Sequence, residues 1–241
     1  MILPVLIPAR GGSKGVPGKN IIDVCGFPLL SYSIMACQKC GKFGKIFVST
    51  DDEKTAQVAA FYGVTVIERP AALATDLSTD YDVLSHFFSV FPYYEQVAYI
   101  RPTTPNRLPE VLSKAVDFYF ANKFCCTGMR SMHELSEPPY KMFKISDDGF
   151  CRGFFDDYNG IKDYTNLPRQ NFPKAYMPNG YIDIVKRETV KAGLDFGDWI
   201  LPFITNEVRE LDSFDDLCFI EAQMGNNSTN LWCELNDKYK K

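Results

Sequence analysis

Residues 2–20 read ILPVLIPARGGSKGVPGKN, an apolar run that ends at Pro8 and passes directly into a loop of four glycines and three cations. A short apolar run closed by proline has the pattern of a strand buried on both faces of a parallel sheet. The loop therefore leaves from the carboxyl end of that strand, where open α/β sheets bind their ligands. Gly11, Gly12, Gly15 and Gly18 allow close backbone approach and turn N–H groups toward phosphate oxygens. Arg10, Lys14 and Lys19 offset much of the charge of a triphosphate. Two familiar phosphate loops fail on spacing. GxxxxGK[ST] needs Gly at 13 and Ser or Thr at 20, where this chain has Ser13 and Asn20, and GxGxxG is absent. The alternative is a solvated basic surface loop.

Outward from this loop, strands and helices alternate. A helix pattern runs from about Pro28 to Cys40, Lys45–Ser49 reads as a strand, and Thr50-Asp-Asp-Glu53 has capping-box spacing ahead of a helix through Tyr62. Strands at Val64–Ile67, Val97–Ile100 and Phe124–Gly128 alternate with helices at Asp80–Val90 and Pro109–Ala121. This rhythm predicts a three-layer α/β fold with a mainly parallel sheet. It breaks over residues 131–180, which are rich in Pro, Tyr and charge and read as an inserted arm or lid. Strands return at Tyr181–Val185 and near Trp199–Ile204, with a helix after Ser213. Residues 1–226 form one domain in this reading, and 227–241 a polar tail with room for a short helix.

The 241 residues are 46% hydrophobic and 14% aromatic, enough for a sizeable core without disulfides or a structural metal. A net charge of −4 with both signs interspersed argues against binding nucleic acid or an anionic membrane through a broad basic face. No apolar run reaches the length of a membrane-spanning helix, and the N-terminal run lacks the basic flank of a signal peptide. The eight cysteines read as free thiols, and Cys37-x-x-Cys40 has no second pair to complete a zinc site. A cytoplasmic protein follows. His86 and His133 receive no role, and the absence of an evident His–nucleophile pair argues against covalent hydrolysis.

The segment IPARGGSKGVPGKN resembles the N-terminal signature of the acylneuraminate cytidylyltransferases, which make CMP-activated sialic acids and related sugars. The resemblance continues through Ser49-Thr-Asp51, Glu68-Arg-Pro-Ala71, Leu73-Ala-Thr-Asp76, Arg101-Pro-Thr-Thr-Pro-Asn-Arg107, Pro168-Arg-Gln170 and Pro178-Asn-Gly180. It implies a Rossmann-like nucleotidyltransferase fold with an inserted dimerisation arm, a homodimer, and Mg²⁺-dependent transfer from CTP to a nonulosonic acid. Arg10, Gly11, Ser13, Lys14, Lys19 and Asn20 would then hold the nucleotide, with Lys19 at the α-phosphate. Arg69 would support it, and Asp80 stands where relatives carry a small nucleotide-contacting residue.

The family's Asp-x-Asp metal pair falls here on Glu210-Leu-Asp212. Alternation on an extended segment puts Glu210 and Asp212 on one side, facing one ion. The plainer reading gives Asp212, Asp215 and Asp216 to the N-terminus of the following helix. For the acceptor, the resemblance points to Arg101, Thr103, Arg169, Gln170, Tyr176 and Asn179. Arg101 replaces a common Gln and suits a carboxylate or a phosphate. Asn179-Gly180 is also a turn signal, and Tyr176 and Tyr181 are also reasonable core residues. Two other functions stay open: transfer from GTP or UTP to a sugar-1-phosphate, and non-catalytic nucleotide or sugar binding.

Overall fold

The computed structural model describes residues 2–226 and 230–239. Eleven strands and seven α-helices follow in the order β1 (Leu3–Pro8), β2 (Asp23–Val24), β3 (Phe27–Pro28), α1 (Leu29–Lys39), β4 (Phe43–Thr50), α2 (Glu53–Phe61), β5 (Thr65–Glu68), α3 (Asp80–Val90), β6 (Gln96–Tyr99), α4 (Pro109–Asn122), β7 (Gly128–Glu134), β8 (Phe143–Ile145), β9 (Cys151–Gly153), β10 (Tyr176–Lys186), α5 (Arg187–Lys191), β11 (Ile200–Ile204), α6 (Phe214–Asn226) and α7 (Asn230–Tyr239) among the described residues. Seven strands form one sheet, ordered β11-β7-β10-β6-β1-β4-β5. Only β10 runs antiparallel to its neighbours, so the mainly parallel three-layer architecture is present as expected.

The alternation of each central strand feeds two cores. Leu3, Val5 and Ile7 of β1, Ile46 and Val48 of β4, and Ala98 of β6 face a cluster shared with α1, α2, α4, α6 and α7. Leu6, Phe47, Val97 and Tyr99 face the opposite cluster, with Val83, Leu84, Phe87 and Phe88 of α3 and Val190 of α5. Burial on both faces is why these strands read as unbroken apolar runs.

Local chemistry sets the element ends, in places differently from the sequence pattern. Thr50 remains in β4, and Asp52 caps α2 by accepting from the Thr55 N–H at 2.8 Å. Thr79 and Asp82 form the capping box of α3. The apolar run from Phe124 is a single 3₁₀ turn with Phe124 90% exposed, and β7 begins only at Gly128. The expected 131–180 insertion is narrower than predicted, because β7 continues through Glu134 and β10 begins at Tyr176. Asn179-Gly180 makes no hairpin turn. It lies inside β10, where the pairing with β7 shifts register between Pro178 and Asp183 and Gly180 takes φ +61°.

The C-terminal stretch expected as a polar tail contains α7, whose Leu231 and Leu235 are buried in the core that holds α1. Trp232 donates its indole N–H to the Cys25 carbonyl at 2.9 Å. Its apolar residues recur at helical spacing among charges, which makes the composition polar and one face apolar. Residues 227–229 and 240–241 of that expectation lie outside the described residues.

Candidate active site

The parallel topology delivers the ends of β1, β4, β5, β6 and β11 to one edge of the sheet, and the antiparallel β10 adds its first residues there. The glycine-rich loop crosses this edge. Its Gly11 N–H donates to Asp51 Oδ1 at 2.9 Å, and the Asn20 amide donates to the Arg10 carbonyl at 2.8 Å. Asn20 is therefore spent on holding the loop, and Ser13 sits half-buried upon it. Arg10 and Lys14 converge on Asp76, at 3.1 and 2.9 Å, from the loop that follows β5. Lys14, then Arg10, hold the Asp76 carboxyl below its ordinary range.

Lys19 reaches across the edge to Asp212, Nζ to Oδ1 at 2.8 Å. The approach is tight. A Cβ on Gly15 would lie 2.4 Å from the Asp212 carbonyl oxygen, so glycine is required where the loop meets this segment. The Leu211 N–H donates to the Thr103 carbonyl at 2.8 Å, and Thr103 Oγ1 donates to Glu210 Oε2 at 3.0 Å. Burial, opposed by Thr103, holds the Glu210 carboxyl above its ordinary value. Asp216 takes the helix-terminus role considered for these acids. Its Oδ2 accepts from the N–H groups of Asp212 and Ser213 at 3.2 and 2.9 Å. The Asp212 side chain is left 69% exposed beside Lys19.

The Lys19–Asp212 and Thr103–Glu210 contacts form a ridge between two cavities. The smaller, about 320 Å³, is lined by Arg10, Lys19, Arg69 and Arg101 among others. Arg69 is buried there with its guanidinium on Ser49 Oγ and O at 3.0 and 2.7 Å, and burial lowers its pKa. The larger, about 780 Å³, is lined by Glu207, Arg209, Glu210, Asp212, Asp216, Asn179 and His133 among others.

Arg101 is engaged on both sides. Nη1 donates to Asp183 Oδ2 at 2.8 Å and Nη2 to Asp80 Oδ2 at 2.5 Å, while Asp80 also accepts from Tyr99 OH at 2.7 Å. Burial pulls the guanidinium down, but Asp183 and Asp80 hold it above its ordinary value. Asp80 and Arg101 thus meet each other at the base of the small cavity. Asn179 is buried and donates to Thr205 Oγ1 at 2.7 Å, tying β10 to the end of β11. Tyr181 is a core residue, as its plainer reading had it. Arg169 and Gln170 lie exposed on a 3₁₀ turn of the excursion, with Arg169 on the Ser136 carbonyl, and Tyr176 is 41% exposed. These three line neither cavity within the described residues.

Two residues without an assigned role shape the site. Arg107 is wholly buried and donates to the carbonyls of Tyr181, Thr104, Arg101 and Gly180 and to Ser33 Oγ, between 2.6 and 3.1 Å. It pins the loop after β6 against β10. Gly180 leaves room for the site, since a Cβ there would stand 3.1 Å from Glu210 Oε1 and 3.3 Å from Arg101 Cδ. The sequence signal for both lay in the motifs RPTTPNR and PNG.

The sequence profile of the Cytidylyltransferase family matches residues 4–139, more than half of the chain. The pseudaminic acid cytidylyltransferase of Campylobacter jejuni subsp. jejuni serotype O:2 is 34% identical over 227 residues, covering 89% of this chain and 92% of that protein. The chain belongs to the cytidylyltransferase family. Within that family it is similar to the N-acylneuraminate cytidylyltransferase of Escherichia coli O18:K1:H7, 32% identical over 216 residues, or 89% of this chain and 49% of that protein. It spans about half the length of that relative and of several other curated relatives it matches. The solved structure of a CMP:2-keto-3-deoxy-manno-octonic acid synthetase complexed with CTP shares the cytidylyltransferase fold, with a TM-score of 0.69 at 17% identity, covering 93% of this chain and 99% of that one.

Proposed function

We propose that this cytidylyltransferase family member couples CTP to a nonulosonic, sialic-acid-like sugar acid, giving the CMP-sugar and pyrophosphate, as a Mg²⁺-dependent cytoplasmic enzyme. The observation that carries this reading is the 2.8 Å Lys19–Asp212 contact on a ridge between a basic cavity and an acidic one. The triphosphate lies along the loop from Gly11 to Lys19, and its oxygens draw Arg10 and Lys14 away from Asp76. That exchange costs little, because solvent-exposed ion pairs are weak. Lys19, at the ridge, faces the α-phosphate and stabilises the charge that grows there. The acceptor enters from the acidic side. Its anomeric hydroxyl gives up its proton to solvent beside Asp212, the freed oxygen bonds to the α-phosphorus, the bond from that phosphorus to the bridging oxygen breaks, and pyrophosphate leaves with the electron pair.

No group of three or more His, Cys, Asp or Glu among the described residues forms a ready metal cage. Mg²⁺ does not need one, since one or two carboxylates suffice beside phosphate oxygens and waters. The exposed Asp212 carboxylate meets that requirement, and Glu210, which is half-buried and bonded to Thr103, stands next to it. The cation held there would neutralise the triphosphate and polarise the attacked phosphorus. With the cation bound, Asp212 would hold it in place of Lys19, leaving the ammonium to the α-phosphate.

Transfer to a sugar-1-phosphate relied on Arg101 as a phosphate receptor. With that guanidinium between Asp80 and Asp183, no observation favours it. The excursion between β7 and β10 exposes Met142, Phe143, Ile145, Phe150 and Phe154. These residues suit the arm of a homodimer, which would also give Arg169, Gln170 and Tyr176 a site to serve. The test is Mg²⁺-dependent pyrophosphate release, crossing CTP, GTP and UTP with nonulosonic acids, 3-deoxy-octulosonic acid and sugar-1-phosphates, with products weighed by mass spectrometry. CMP-sugar formed only from CTP and a sugar acid is the expected result; turnover of GTP or UTP with a sugar-1-phosphate overturns it.

A further inference from the structure

A 2-keto sugar acid in its ring form carries the carboxylate on the anomeric carbon, the same carbon that bears the attacking oxygen. A receptor for that carboxylate must therefore stand beside the Lys19–Asp212 ridge, on the side of the larger cavity. Glu207, Glu210, Asp212 and Asp216 line this cavity and repel an acid, and its lining holds one arginine and no lysine among the described residues. The neighbouring cations are engaged: Lys19 pairs with Asp212, and Arg101 is held between Asp80 and Asp183 on the floor of the smaller cavity. The remaining cation is Arg209.

Arg209 is fixed in place without being used up. Its Nε donates to Asp216 Oδ1 at 2.7 Å, and its guanidinium carbon lies over the Phe219 ring, 4.8 Å from the centroid. Pinned at Nε and supported by a ring, the guanidinium has little orientational freedom left to lose when it meets an anion. Nη1 and Nη2 have no hydrogen-bond partner among the described residues, and they end a side chain that is half exposed in the cavity wall. These two nitrogens form the edge of the fork that takes a carboxylate bidentately. The place is also right. Asp216 Oδ2 accepts from the N–H groups of Asp212 and Ser213 at 3.2 and 2.9 Å, so one carboxylate group separates the guanidinium from the backbone of Asp212. We propose that Arg209 is the acceptor-binding residue that receives the sugar's carboxylate, through Nη1 and Nη2, with Asp216 and Phe219 holding the fork in position. The assignment rests on the cytidylyltransferase reading above and makes Arg209 the residue that selects an acid as acceptor. It leaves Lys19 to the α-phosphate and Asp212 to the cation.

The test uses the full chain, CTP, the nonulosonic acid turned over fastest by the unaltered protein, and the methyl ester of that acid. Arg209→Gln keeps an amide donor for Asp216 and removes the charge and the fork. It should raise the KM for the acid by about tenfold or more, the size of one lost hydrogen bond between charged groups. It should leave the KM for CTP unchanged and erase the preference for acid over ester. Arg209→Lys keeps a point charge and should recover part of that preference. A role confined to the start of α6 predicts something different, since a loosened helix end weakens acid and ester in equal proportion. Equal weakening of the two, or an unchanged acid KM with the preference over ester intact, overturns the assignment and leaves the enzyme reading standing. The second of these outcomes would give the carboxylate to the bound cation instead. An unaltered protein that turns over no sugar acid overturns both.

Discussion

Lys19 and Asp212 answer to different physical demands, although one contact joins them. Asp212 is exposed, so Asp212→Asn removes a charge without opening the core. It should cut pyrophosphate release by about 100-fold or more with an unchanged melting temperature, as expected for a group that acts on developing charge. Near-normal turnover in that variant would remove the metal role from Asp212. Arg107 shows the reverse pattern. Arg107→Met leaves four buried carbonyls without their donor and should cost about 3–5 kcal/mol of stability, measured by urea unfolding. The position of the glycine–lysine loop at the end of β1 was legible in the sequence because strand and loop are contiguous in one segment. Arg107 was not, because arginine is ordinarily a surface residue and only the assembled loop shows that its fork is filled by neutral oxygens.

Elements were legible wherever one periodicity ruled. β1, α3 and α4 carry clean apolar patterns, and the sequence ranges fall within a residue or so of the observed ends. The reading failed where composition and geometry part. Phe124 looks like a strand residue yet lies on an exposed turn, and Asn179-Gly180 looks like a hairpin yet marks an irregularity within one long strand. α6 owes its start to Asp216. Hydrogen bonds from Ser213, then Arg209, depress its carboxyl to about 2 from 3.8. Because the folded value lies below the unfolded one, its stabilising effect is complete above about pH 4 and is lost as pH falls toward 2. Asp216→Asn should therefore lower the melting temperature at neutral pH and flatten its acid limb over that interval; an unchanged acid limb would remove the cap from the account. α7 makes its contribution through packing. Leu235→Ala should cost about 2–4 kcal/mol in urea unfolding, since a wholly buried leucine leaves a cavity behind.

At the scale of the whole molecule, the excursion between β7 and β10 carries a run of exposed apolar residues that a lone soluble chain seldom displays together. Sedimentation should find a dimer, and the pair Phe143→Asp with Ile145→Asp should give a monomer. A fully active monomeric unaltered chain would remove the arm from the mechanism. The sequence marked this stretch only by its loss of rhythm, because apolar residues that face no core of their own chain carry no periodicity relative to it. Finally, the ridge joins Lys19 to a residue 193 positions later in the chain. Closing so long a loop is among the entropically dearest contacts a chain makes, and such contacts tend to form late. In a refolding experiment catalysis should therefore lag behind the recovery of secondary structure, and a nascent chain still lacking its last elements would carry the glycine loop yet remain inert. On the proposed reading, turnover would thus report that Asp212 has been brought onto the glycine loop.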